Sequence, residues 1–334
     1  MTRTLAAATA AILLFYCSSE NDKTPGADGG RDQAAATPDL APPIKLDLTI
    51  DTYPLVDGST STHPLGMLVA CELLGMPYSW QVYWDQTKRI FPDPGTPEQE
   101  AVAKKLETQV FHNGTHGAYV NLIEGKADLI LVAREPSQDE LDAAKDKQVT
   151  LETRAVALDA FVFILNHQNP VNSLTTKQIQ EIYTGKITRW DQVGGPAQEI
   201  NPYQRNENSG SQELMKTLVM KDLTMIAAPD MILEGMMGPI NRIGEDVQGL
   251  GYSVFFFEQF MAPNEKLKLC GVDGVVPGGE TIRARAYPFA TEVHAAIRTD
   301  LGPASNARKL RDWLLTAAGQ ATIKKSGYVP VSGI

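Results

Sequence analysis

The chain has 334 residues, with 30 Lys and Arg against 40 Asp and Glu, a formal charge of −10 and 43% hydrophobic residues. That length allows one large or two medium domains with a substantial core, and the composition excludes a fibrous or wholly disordered chain. The acidic balance argues against a nucleic-acid partner, because polyanion binding needs a broad basic surface, so any anion site must be local and enclosed.

At the N-terminus, Thr2 and Arg3 precede the apolar run LAAATAAILLFY and then Cys17. A short positive region, a hydrophobic region and a processing point describe a signal peptide, and the run is too short for a membrane span. The pattern resembles a bacterial lipoprotein signal, in which Cys17 becomes the lipidated first residue of an exported chain held at the membrane. Tyr16 departs from the small residue usual before that cysteine, and an uncleaved anchor would leave the protein on the same side of the membrane. Residues 18–44 are rich in Gly, Pro, Ala, Asp and Ser, cannot bury a core and read as a tether. Cys71 and Cys270 give no disulfide framework, and Cys71 in LGMLVACELLG reads as a buried small hydrophobe.

From Lys45 the pattern alternates β-rich and helical runs: KLDLTI, THPLGMLVACELLG, EAVAKKLETQV, GAYVNLIEG, ADLILVA and DELDAAKDK. A second series opens with AFVFILN at Ala160–Asn166, continues through TKQIQEIYTG, SQELMKTLVM and GYSVFFF, and leads by KLKLCGVDG and YPFATEVHAAI into a helical tail from about Ala304 to Lys325. Strands separated by helices predict an α/β fold with mostly parallel sheets. The tail is too short for a third domain and is expected to return to the first lobe. Residues 45–157 with 275–334 form lobe 1 in this reading, residues 158–274 form lobe 2, and a hinge joins them. Ligands of open α/β sheets bind in the crevice beyond the strand carboxyl ends, here between the lobes.

Four short stretches could carry that ligand. DGSTSTHPL offers the hydroxyls of Ser59, Thr60, Ser61 and Thr62 at a helix start after Asp57 and Gly58, more than an ordinary N-cap requires. HNGTHGAY brings Thr115 and His116 to a second helix start; Gly114 breaks the helix that would set His112 and His116 on one face, and no carboxylate completes a metal set. ADLILVAREPS runs an apolar strand into Arg134 and Glu135, either at the mouth of the crevice or in a solvent-facing salt bridge. RNENSGSQ sets Arg205 four residues before Ser209, Gly210 and Ser211, where unpaired backbone N–H groups of a helix start and a nearby guanidinium form an anion cradle. The GxSxG, HExxH and GxxxxGK[ST] patterns are absent, so the stretches describe binding without catalysis, metal or cofactor.

NPVNSLTTKQIQEIYTGKITRWDQVGG, YQRNENSGSQ, DGSTSTHPL and GLGYSVFFF resemble the phosphate-binding proteins that feed high-affinity phosphate ABC transporters, a branch of the periplasmic-type solute-binding proteins. The resemblance runs from about Lys45 to near the C-terminus. It implies a two-lobed, type II periplasmic-binding-protein-like fold, a monomer that closes on inorganic phosphate, and membrane permease subunits as partners. The family pattern Arg-x-x-x-Ser-Gly-Thr falls on Arg205, Ser209, Gly210 and Ser211, with Ser for Thr at the last position. The first-loop contact falls near Ser61, Thr62 and His63, and the second-loop serine on Thr115 with His116 beside it. Members whose aspartate receives the ligand's proton have it where this chain reads Ala133, so Glu135 or Asp57 is expected to supply the acceptor that favours phosphate over sulfate. The alternatives are another tetrahedral oxyanion such as sulfate, molybdate or tungstate, a secreted phosphate-handling hydrolase, or a surface lipoprotein that senses or scavenges phosphate without a permease.

Overall fold

The computed structural model describes residues 44–331; the signal-like segment with Cys17 and nearly all of the tether lie outside the described residues. Strand β1 (Val56–Gly58) leads into helix α1 (His63–Leu73), and a hairpin of β2 (Tyr78–Val82) and β3 (Lys88–Pro92) precedes α2 (Pro97–Gln109) and α3 (Gly114–Ile123). After β4 (Leu129–Val132) and α4 (Gln138–Asp146) comes the long β5 (Leu151–Asn166). It is followed by β6 (Ser173–Leu174), α5 (Thr176–Tyr183), β7 (Asn201–Pro202), β8 (Gln204–Arg205) and α6 (Gly210–Leu214), which widens into a π-helical turn over Met215–Met220. Then come β9 (Ile232–Leu233), α7 (Met237–Glu245), β10 (Gly249–Val254), β11 (Leu267–Val272), α8 (Gly279–Arg283), β12 (Ala290–Arg298), α9 (Asn306–Trp313), α10 (Ala317–Ser326) and β13 (Val329–Pro330).

The sheet is mixed, which corrects the expectation of mostly parallel lobes. β1 with β4, β10 with β7 and β11 with β6 are parallel, but β5 is antiparallel to β12, β10, β11 and β13. The physical reason lies in β5, which does not return beside β4 as a right-handed crossover would require; instead β12 stands between them in the order β1-β4-β12-β5. Its residues 151–160 pair with β12, and residues 161–165 pair with β10. One strand therefore passes through two sheet groups, with β1, β4 and β12 on one side of the crossing and β10, β7, β11 and β6 on the other.

Local sequence explains the strand's two characters. Residues 156–166, VALDAFVFILN, are all buried and read as a continuous apolar run because both faces are covered. The preceding LETRA is partly exposed and polar, so the strand extends further towards the N-terminus than its apolar run suggests. KLDLTI forms no strand; Ile44, Leu46, Leu48 and Ile50 pack against the core, but no sheet edge receives the segment. Both Cys71 and Cys270 are buried, and burial raises each thiol to about 12. Among the described residues no helix is long and apolar enough to cross a membrane.

Asp159 is the exception within the apolar run. It sits two residues before β5 changes partners, and its Oδ1 accepts from Ala160 N at 2.8 Å and from Phe256 N at 3.0 Å, while Oδ2 has no partner. Burial raises its carboxyl to about 7, only partly offset by those two bonds. A carboxyl raised on folding holds its proton longer in the folded state, so stability falls as pH rises from the unfolded value near 4 through about 7. Asp159→Asn keeps the accepting oxygen and removes the titration. The variant is expected to gain thermal stability relative to wild type across that interval, up to about 4 kcal/mol above pH 7. Melts of both proteins at pH 5 and pH 8 check this, and equal differences at the two pH values would refute it.

Candidate functional site

The first loop is built by close backbone approach. Gly58 pairs in register with Leu131, and a Cβ on it would stand 2.5 Å from the Leu131 carbonyl oxygen, so only glycine lets β1 run this tightly against β4. Ser59 N then donates to Leu131 O at 3.0 Å, turning the chain at the strand end. Thr62 Oγ1 donates within this turn, to Ser59 O and Leu131 O, and Thr62 is buried beneath the loop. Ser59 Oγ lies 3.2 Å from Ser61 Oγ and 3.1 Å from Thr62 Oγ1.

Asp57 ties this loop to the second. Its Oδ1 accepts from Gly58 N at 2.7 Å, and its Oδ2 accepts from Asn113 Nδ2 at 2.9 Å and Asn121 Nδ2 at 2.7 Å. Asn113 N also donates to Gly58 O at 3.2 Å. The carboxylate is 1% exposed and occupied by donors, so it fixes the loops and does not face a ligand. Gly114 opens α3 with a φ of 74°, a left-handed conformation that suits glycine at this turn. Thr115 and His116 follow, and the His116 Nδ1 lies 3.0 Å from Glu140 Oε1. His112 turns elsewhere, with Nε2 2.7 Å from Arg89 Nη1, and burial and Arg89 hold it below the ordinary imidazole value. These two imidazoles do not converge, and among the described residues no three of His, Cys, Asp and Glu could hold a metal ion.

The third loop carries the charge. Arg205 N donates to Tyr252 Oη at 2.9 Å and to Gln212 Oε1 at 3.1 Å, and the Tyr252 hydroxyl donates to the same Gln212 oxygen. The guanidinium of Arg205 is held by Nε to Leu233 O at 3.0 Å, Nη1 to Met236 Sδ at 3.5 Å and Nη2 to Asn206 Oδ1 at 3.4 Å. None of these acceptors is charged. Arg205 is 6% exposed, and burial lowers its pKa. The other buried arginines each have a carboxylate within salt-bridge range: Arg89 has Asp85, Arg134 has Glu140, and Arg311 has Glu152. Among the described residues, only Arg205 is a buried arginine without one.

These loops enclose one cavity of about 410 Å³. Ser59, Thr60, Ser61, Thr115 and His116 line it from one side of the crossing, and Arg205, Ser209, Gly210 and Ser211 line it from the other. Thr62 does not reach it. Arg134 and Glu135 do not reach it either, and they line a separate cavity with Glu213 and His294. Arg134 instead makes a two-pronged pair with Glu140, Nη1 to Oε2 and Nη2 to Oε1 both at 2.8 Å, while Glu135 is exposed. Glu140 belongs to the capping box Ser137-x-x-Glu140 at the start of α4, a pattern visible in the sequence that would have placed a carboxylate beside the arginine. Ala133, at the position of the family's aspartate, does line the cavity, while Met236 and Val254 are lining residues that no sequence pattern marked. The one carboxylate on the lining is Glu207, which is exposed and bonded to Lys216 Nζ at 2.6 Å. The acceptor role expected of Glu135 or Asp57 is thus not supplied by either residue: one points outside the cavity and the other is saturated with donors.

Chemically, such a cavity can surround a small anion with hydroxyls and one unpaired guanidinium. The two sides already touch: a Cβ on Gly210 would lie 2.7 Å from Thr115 Oγ1.

The PBP superfamily domain matches residues 94–318 of the chain. Protein SphX of Synechocystis sp. is 29% identical over 250 residues, covering 68% of this chain and 71% of that protein. The phosphate-binding protein PstS of Bacillus subtilis is 26% identical over 211 residues, covering 62% of this chain and 64% of its own. Among solved structures, an ABC-type phosphate transport receptor from Vibrio cholerae superposes with a TM-score of 0.58 at 21% identity, over 82% of this chain and 98% of that one. A Clostridium perfringens protein described as a phosphate ABC transporter substrate-binding protein, with phosphate bound, superposes with a TM-score of 0.60 at 22% identity over the same shares. The structural likenesses establish a two-lobed α/β binding-protein fold.

Gly210→Ala is expected to force Thr115 or the third loop aside, lowering affinity for a small oxyanion held in the cavity at least tenfold, about 1.4 kcal/mol. Its melting temperature should move by no more than a few degrees. Calorimetric titration and a thermal melt read the two effects, and unchanged affinity would show that the Thr115 contact plays no part in the bound state.

Proposed function

The chain belongs to the PBP superfamily, and from that premise we propose that it is an extracytoplasmic solute-binding protein that captures inorganic phosphate between two lobes and delivers it to an ABC transporter permease. The observation that carries this reading is Arg205, a buried guanidinium in a hydroxyl-lined cavity with no carboxylate to balance it. A buried charge left without its partner costs about 3–5 kcal/mol. An oxyanion accepting from both Nη atoms would remove that cost and form the bidentate geometry a guanidinium favours.

Ser59, Thr60, Ser61 and Thr115 from one lobe, and Ser209, Gly210 and Ser211 with Arg205 from the other, are the phosphate-binding residues in this reading. His116 contributes through its place in the first turn of α3, where backbone N–H groups lack helical partners. Hydrogen bonds to a charged group contribute about 1.5–3 kcal/mol each, so eight such donors amount to roughly 12–24 kcal/mol gross. Micromolar capture needs only about 8 kcal/mol net, and the difference offsets desolvation of the anion and closure of the lobes. Phosphate at neutral pH keeps a proton, and a hydroxyl oxygen can accept a hydrogen bond from that O–H while its own O–H donates to another phosphate oxygen. The names of the relatives, phosphate-binding protein PstS among them, support the same ligand.

The lobes are residues 45–157 with 275–334, and residues 158–274, with β5 as a crossing strand of the hinge. The protein acts as a monomer, binds without turning its ligand over, and is exported and anchored to the membrane by lipid on Cys17.

Calorimetric titration of the wild type with inorganic phosphate should give one site of micromolar affinity or better. Arg205→Ala should weaken it by at least 2 kcal/mol, about thirtyfold. A loss of less than about threefold, under 1 kcal/mol, would remove Arg205 from the site and the reading with it.

A further inference from the structure

The first anion loop is held from a distance of 267 residues along the chain: the Tyr328 hydroxyl donates to Ser61 O at 3.0 Å, and the bond is buried. Ser61 lines the anion cavity. The Tyr328 ring lies flat on Phe256, with centroids 3.8 Å apart and planes 7° from parallel. Phe256 follows Val254, another lining residue, by two positions, and its backbone N donates to Asp159 Oδ1 at 3.0 Å. Asp159 stands opposite Thr291 of β12, and two residues later Phe161 stands opposite Val254 of β10. The contacts therefore run without interruption from a cavity loop to the point where β5 leaves one sheet group for the other.

Tyr328 is delivered to this position by its own chain. Gly327 closes α10 with a φ of 102°, and a Cβ there would stand 2.7 Å from the Phe260 ring, which stacks on the other partner, Phe256, at 5.2 Å. Immediately afterwards β13 pairs with Leu158 and Ala157 of β5, beside Asp159. The tyrosine is thus clamped between the hinge strand and the aromatic pair, with only its hydroxyl reaching the loop.

We propose that Tyr328 is a positioning residue for ligand capture, and that Tyr328, Phe256 and Asp159 form a relay that keeps the first anion loop in register with the crossing strand. This rests on the phosphate reading of the cavity. The relay acts through two backbone groups, the Ser61 carbonyl and the Phe256 N–H, so it sets where the loop stands without contacting the ligand. Its loss affects how long the closed loops retain an anion, and leaves the encounter between anion and open cleft as it was.

Tyr328→Phe keeps the stacked ring and removes the hydroxyl; Phe256→Leu keeps a buried apolar side chain and removes the stack. Phosphate affinity by calorimetry, dissociation rate by stopped flow and the melting temperature without ligand are measured for both and for wild type. Tyr328→Phe is expected to bind phosphate about tenfold more weakly, through faster dissociation at an unchanged association rate and full stoichiometry, and Phe256→Leu to shift in the same direction. A purely structural role would lower the melting temperature or the titrated stoichiometry and leave the affinity of the folded fraction within about twofold of wild type; that result in whichever variant folds overturns the relay. Wild type that fails to bind phosphate overturns the ligand reading itself, and the relay falls with it.

Discussion

A positive charge buried without a negative partner is the constraint on which this structure turns. Folding places the Arg205 guanidinium against a carbonyl, a thioether and an amide oxygen, all neutral, while the other buried arginines find carboxylates. A neutral setting of this kind satisfies hydrogen bonds incompletely and the charge not at all. The buried Tyr252 and Gln212 hold the backbone of Arg205 in place, so the side chain cannot escape by moving its anchor. In the proposed function an anion from outside balances the charge, and the acidic surface elsewhere does not interfere, because long-range potentials are screened while an enclosed pair is not.

The remainder of the architecture brings hydroxyls to that charge. Gly58 lets the first loop turn at the end of β1, Asp57 locks it to the start of α3, and β5 carries the chain across to the half that holds Arg205. The two loops meet at Gly210 and Thr115 because glycine leaves room there. The antiparallel neighbours of β5 matter for this geometry: one strand shared by two sheet groups joins them while each group keeps its own pairing.

Much of the site was legible in the sequence because anion cradles are local. Hydroxyls after Gly58, Thr115 after Gly114, and Arg205 four residues before Ser209 are short-range patterns, and the structure gathers all three around one cavity. Most of the failures concern partners that the local pattern does not name. Arg134 looked available because the Glu140 that takes it lies beyond a proline turn, although the Ser137-x-x-Glu140 box pointed to that carboxylate. Asp57 looked like a free acceptor because Asn113 and Asn121 are far along the chain. The mixed sheet was hidden for the same reason: alternation of strands and helices suggests parallel neighbours, while β10, β11 and β12 reach β5 from later in the sequence. The hairpin of β2 and β3 was overlooked although YSWQV alternates apolar with polar residues; Trp80 and Val82 stay exposed, so that alternation marks no buried face.

The most direct test is a crystal structure of the protein grown with inorganic phosphate. The account predicts phosphate oxygens within hydrogen-bond distance of both Nη atoms of Arg205, with Nη1 drawn off Met236 Sδ and the hydroxyls of the first and third loops turned inward. Phosphate bound elsewhere, or a cavity without it at saturating concentration and Arg205 still resting on Met236, would contradict it.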